Sequence, residues 1–109
     1  DGGKIISELS PSPSDILIPK HRWNAYHQTH LELSLRSRGI DTVVIAGGSS
    51  DVGVAATAYA TRDLDFNLVI VSDATYSVGR GDNHQFFLNR VFPRMGRVMT
   101  VGQACKLMR

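Results

Sequence analysis

Two uninterrupted apolar runs constrain this chain most. Residues 42–46 read Thr-Val-Val-Ile-Ala and residues 68–71 read Leu-Val-Ile-Val. Neither alternates with polar residues, so neither suits a sheet with one wet face. Short β-branched runs of this kind are strands buried on both sides. Between them lies a small-residue segment, residues 54–60, that reads as a helix. Strand, helix, strand with apolar strands calls for a parallel sheet covered on both faces.

The flanking segments extend that pattern. Ile16-Leu17-Ile18 follows Asp15 and is stopped by Pro19, which reads as a short buried strand over residues 15–18. Thr29 is a candidate N-cap for a helix carrying Leu31, Leu33 and Leu35, with Gly39 at its C′ position. Residues 84–91 read as a helix with Phe86, Phe87 and Leu88 as apolar bulk. Residues 97–101 read as a last strand, followed by a short helix carrying Ala104 and Leu107. The expectation is a three-layer α/β/α fold with a mostly parallel sheet, built as one domain over residues 1–109.

Composition excludes several classes. With 42% hydrophobic and 20% charged residues the chain is globular rather than disordered. The net charge is only +2, and Arg36, Arg62, Arg90 and Arg97 are scattered, so no basic stripe predicts nucleic-acid binding. No apolar run is long enough to span a bilayer, and residues 1–4 do not read as a leader. One cysteine, Cys105, permits neither an intrachain disulfide nor a cysteine zinc site. It reads as packed in its helix, and a reducing cytoplasm is the expected compartment.

Ligands of open parallel sheets bind beyond the carboxyl ends of the strands. Lys20, the glycine-rich turn at 47–53, Asp73 and the loop before His84 all fall there. Glycines allow close backbone approach, and a helix opening near Asp51 would aim free N–H groups at an anion. Neither a dinucleotide fingerprint nor a Walker loop is present. The same glycines also suit a plain strand-to-helix turn. Asp51 reads as a first-turn or capping acid and Asp73 as ordering its own turn. His84 either begins its helix or faces the pocket. Ser49 and Ser50 could act as nucleophiles, but no histidine is placed near them by sequence. His21, His27 and His30 lack metal-ligand spacing, and Arg80-Gly81-Asp82 reads as a turn.

The string Gly47-Gly48-Ser49-Ser50-Asp51-Val52-Gly53-Val54-Ala55-Ala56-Thr57-Ala58 resembles the nucleophile turn of the isochorismatase-like cysteine hydrolases, Gly-Val-x-Thr-Asp-x-Cys-Val-x-x-Thr-Ala. Asp15-Ile16-Leu17-Ile18-Pro19-Lys20 is similar to the strand ending in that family's catalytic lysine. The stretch from Trp23 to Leu31 is similar to its Tyr-Ser-Ala-Phe-x-x-Thr-x-Leu segment. Val71-Ser72-Asp73-Ala74-Thr75 and His84 match further landmarks.

The resemblance implies a Rossmann-like fold lacking the family's first strands. It also implies a cysteine–aspartate–lysine site with an oxyanion held near a non-proline cis peptide. Lys20 stands at the lysine position and Gly53 at that of the cysteine. Glycine has no nucleophile, so thiol chemistry there is excluded. The family's aspartate and metal ligands belong to strands without counterparts here, so no metal and no cofactor is expected.

The resulting expectation is a catalytically degenerate member that binds a small carboxylate or amide through Lys20, Gly48, Ser49, Ser50, Trp23 and Tyr26. Trp23 and Tyr26 could equally cover the sheet or an interface. The alternatives are a hydrolase of C–N or ether bonds that uses another mechanism or another chain's residues, and a pure interaction module. Without the family's first strand, the 42–46 strand would have an open edge. Either the 15–18 strand moves in beside it, or another chain covers it. A homo-oligomer, with strand swapping as one form, is the expected partner state, with no nucleic acid and no membrane.

Overall fold

A computed structural model describes residues 5–79 and 81–108; the N-terminal tetrapeptide, Arg80 of the turn tripeptide and Arg109 lie outside it. Three strands form one parallel sheet in the order β1 (Thr42–Gly48), β2 (Asn67–Tyr76), β3 (Arg97–Met99). Helix α1 (Leu31–Ser37) precedes the sheet and α2 (Gly53–Asp63) links β1 to β2. From β2 the chain passes into α3 (Asn83–Phe86), a π-helical turn (Phe87–Val91) and a 3-10 turn (Phe92–Arg94). Helix α4 (Val101–Leu107) follows β3.

The apolar runs are uninterrupted because both faces are covered. Side chains alternate across a strand. Leu68 and Ile70 join Ile45 on one face, packed against Val54, Ala55 and Ala58 of α2 and against Leu88 and Phe92. Val69 and Val71 point the other way, to Met99 and to Ala104 of α4. Helices on both sides of a parallel sheet give the three layers expected.

Local signals place several boundaries. Gly39 adopts φ +68°, the left-handed conformation that side chains disfavour. It lets its own N–H reach Arg36 O at 3.0 Å and the Ile40 N–H reach Leu35 O at 3.1 Å, which closes α1. Thr100 caps α4 with a reciprocal Thr100–Gln103 box, so the last strand ends at Met99 rather than at residue 101.

Four expectations are corrected. Residues 15–18 are not a strand, and Leu17 is 58% exposed. No strand lies beside them among the described residues, and the Arg38 side chain instead donates to Ser14 O at 3.2 Å, tying the segment to the end of α1. The repair in which this segment completes the sheet is therefore not the one adopted. Position 30, not Thr29, precedes α1; the Thr29 hydroxyl donates to Ala25 O and accepts from the Leu31 N–H. β2 runs past Asp73 to Tyr76, because the pairing shifts from Ile45↔Ile70 to Gly47↔Thr75 and lets the strand bulge. Asp73 does not order its own turn: its carboxylate accepts the Val101 N–H at 2.8 Å, at the start of α4.

The outer edge of β1 has no strand partner among the described residues. Val44 is 38% exposed there. Beside it, a cleft of about 550 Å³ runs between the sheet and α4, lined in part by Val44, Val69, Met99, Leu107 and Met108. An open edge of this kind is a template for further pairing.

Candidate functional site

The β1-to-α2 turn lies at the carboxyl end of the sheet and carries a cis peptide at Gly48-Ser49. α2 begins at Gly53, with no side-chain cap. A cleft of about 260 Å³ opens here, bordered by Lys20, Gly48, Gly53 and Thr57 among others. Lys20, far in the chain from Gly48 and Gly53, thus shares one space with them. The Lys20 ammonium donates to Arg22 O at 2.9 Å and to Trp23 O at 3.4 Å. A Cβ at Gly53 would meet Gly48 O at 3.5 Å and Trp23 O at 3.7 Å, which is ordinary contact. The site has room for a side chain and carries none.

Trp23 stands next door, 68% exposed. With Lys20, His21, Arg22, Asn24 and His27 it lines a wide, open cleft of about 600 Å³. Tyr26 does not join it. Its hydroxyl bonds to Thr61 Oγ1 at 2.9 Å and its ring lies 6.4 Å from that of Phe66. Burial pushes its phenol above the ordinary value.

The serines of the turn look the other way. Ser50 is fully buried; its N–H donates to Tyr76 O at 2.7 Å, and its hydroxyl lies 2.6 Å from His84 Nδ1. His84 therefore faces inward onto a serine that no ligand reaches. Sequence distance hid this pair, since 34 residues separate the two.

Asp51 is neither a cap nor a free acid. Ser49 Oγ and Ser77 Oγ donate to its Oδ1 at 2.9 and 3.1 Å, and Asn83 Nδ2 donates to its Oδ2 at 2.9 Å. The Val78 N–H donates to Ser49 Oγ at 3.1 Å. Together these bonds lash the turn to the segment between β2 and α3. The amide of Asn83, then the hydroxyl of Ser49, hold the Asp51 carboxyl below its ordinary 3.8. A depressed folded-state value means that the contribution is whole above the unfolded value and fades as pH falls through the folded one. Asp51→Ala should therefore lower the melting temperature at neutral pH, and the gap from wild type should close below about pH 4. A gap that persists unchanged into that acid range would disprove the ionic role.

Among the described residues, no group of three His, Cys, Asp or Glu side chains is placed to hold a metal ion, and Cys105 is exposed rather than packed. Nor is any helix among them long and apolar enough to cross a membrane.

A parallel sheet between helical layers, with a cleft at a strand-to-helix turn, makes this an α/β protein of the open parallel-sheet class. Over residues 1–103 the chain matches the isochorismatase domain, and it belongs to the isochorismatase family. It is 45% identical over 93 residues to an uncharacterised isochorismatase family protein, YecD, of Escherichia coli O157:H7, a match that covers 85% of this chain and 49% of that protein. An isochorismatase-like hydrolase from Alkaliphilus metalliredigens superposes with a TM-score of 0.89 at 31% identity, covering 99% of this chain and 58% of that one. N-carbamoylsarcosine amidase from Thermoplasma acidophilum superposes with a TM-score of 0.79 at 31% identity, covering 92% of this chain and 56% of that one. The chain spans about half the length of the curated relatives it matches.

Proposed function

We propose that this isochorismatase-family chain binds a small carboxylate- or amide-bearing molecule in the Lys20–Gly48–Gly53 cleft without thiol catalysis. The observation that carries the reading is Gly53. At the first position of α2, where the family resemblance puts a cysteine, there is space for a side chain and no nucleophile. Lys20 supplies a positive charge that complements a carboxylate, and the turn supplies backbone polar groups. The Ser50 hydroxyl is no substitute nucleophile, being buried against His84. Pure protein is expected to leave amide and vinyl-ether substrates intact. Robust hydrolysis that Lys20→Ala abolishes would overturn the reading and favour a non-cysteine mechanism.

We also propose that the chain assembles with itself. The open β1 edge and the apolar cleft against α4 are covered by a second copy of this chain. An unpaired edge beside exposed Val44, Leu107 and Met108 supports it. A native mass spectrum is expected to show a dimer or larger assembly. A bare monomer at micromolar concentration would remove this part and leave the ligand site standing. The single cysteine supports a reducing compartment such as the cytoplasm.

A further inference from the structure

We propose that Thr57 is the positioning residue that holds Lys20 at the Gly53 cleft. This rests on the reading of Lys20 as the cation that faces the ligand. Lys20 lies on a stretch without helix or strand, where its ammonium holds the Arg22 carbonyl of the same stretch at 2.9 Å, so the lysine is placed only as well as that stretch is. The stretch is tied to α2 by side-chain bonds. Thr57 Oγ1 accepts the Ala25 N–H at 3.1 Å and donates to Trp23 O at 3.3 Å. That carbonyl also receives the Lys20 ammonium, at 3.4 Å, and lies 3.7 Å from where a Cβ at Gly53 would be. Trp23 O is thus the shared point through which Thr57 sets both the lysine and the width of the cleft.

Helix geometry explains why this residue can do so. Thr57 is four positions after Gly53, so the two share one face of α2. A threonine inside a helix commonly turns its hydroxyl back to the carbonyl four residues earlier. Thr61 does this, donating to Thr57 O at 2.7 Å. Thr57 instead uses its hydroxyl across the gap, as both donor and acceptor. One oxygen therefore pairs two backbone groups: its removal would leave the Ala25 N–H without this partner and the Trp23 carbonyl with only the longer bond from Lys20.

The test needs no ligand, so its failure bears on Thr57 and leaves the proposed function untouched. Wild type and variants are treated with an amine-acylating reagent, and the labelling of Lys20 is compared by peptide mass with that of Lys106, an exposed residue on α4 that serves as internal reference. Thr57→Val is expected to raise the Lys20:Lys106 ratio about threefold or more, in line with the loss of one or two hydrogen bonds. Thr57→Ser, which keeps the hydroxyl, should restore the wild-type ratio. A folded Thr57→Val protein with an unchanged ratio, or a Thr57→Ser protein that behaves like Thr57→Val, would overturn the assignment. Should Thr57→Val not fold, amide exchange in wild type decides: a protected Ala25 N–H supports the clamp, and an unprotected one refutes it.

Discussion

Gly96→Ala is expected to cost about 3 kcal/mol or more of stability, the upper range for overpacking a tight site. Gly96 lies at the entry to β3, and an added Cβ would fall inside contact distance of the Leu68 carbonyl oxygen and 2.9 Å from its carbon. These are backbone atoms of the central strand, held by ladder bonds, and cannot step aside as a flexible side chain does. Leu68 itself is buried between β1 and α2, so the strain would reach the main core. Domains are stable by only about 5–15 kcal/mol, and such a loss is a large share of the total. Urea unfolding should show a lower midpoint with an unchanged slope. Gly102→Ala is the control, because a Cβ there meets only Thr100 Oγ1, at 3.9 Å. In the first turn of α4 it should be neutral or stabilise by up to about 1 kcal/mol. Equal midpoints for the two variants would show that Gly96 is not the close-packed point described.

Gly53→Cys should produce a thiol alkylated at pH 7 roughly threefold faster than Cys105. The Cβ is accommodated at ordinary contact distances, so the fold should tolerate it. The new sulfur would sit at the N-terminus of the 11-residue α2, in the cleft that Lys20 borders. Both features favour the thiolate, and cysteines so placed titrate below the usual value of about 8.5. A drop of about 1.5 units would take the thiolate fraction at pH 7 from a few per cent to about half, partly offset by lower intrinsic nucleophilicity. Cys105 is exposed and serves as the reference within the same molecule. Rates of iodoacetamide labelling between about pH 6 and 9, a range that brackets ordinary and depressed thiols, give both apparent values when resolved by peptide mass. Adding Lys20→Met should move the value of the introduced thiol back upward. If the two thiols react alike across that range, the cleft does not stabilise negative charge, and a carboxylate ligand loses its main support.

The continuous apolar runs, the helical segment between them and the terminating glycine at 39 are local signals. Each depends on the chemistry of neighbouring residues: branched side chains in a row, a helical period, a backbone that tolerates φ of +68°. They were enough for the parallel sheet, its two covered faces and the site-bearing turn. The rule that ligands sit beyond strand ends groups Lys20 with the 47–53 turn on the strength of a 15–18 strand that does not form, and only the resemblance to a known family pairs it with Gly53 in particular.

Tertiary structure alone decided the rest. Ile16-Leu17-Ile18 has the composition of a strand, yet a strand exists only where a partner strand lies alongside, and Arg38 draws this segment elsewhere. Asp51 reads in sequence as a helix cap, yet Val52 holds the cap position and the Asp51 carboxylate is claimed by Ser49, Ser77 and Asn83. Ser50 and His84 meet across 34 residues, and Thr57 reaches Trp23 across another 34. Hydrogen bonds of a few ångströms between such distant residues depend on how the chain is folded back, and no local pattern encodes them. By itself the sequence determined which segments become buried strands and where glycine frees the backbone. Folding determined which polar groups are brought within reach of one another, and the chemistry of the cleft is set by those contacts.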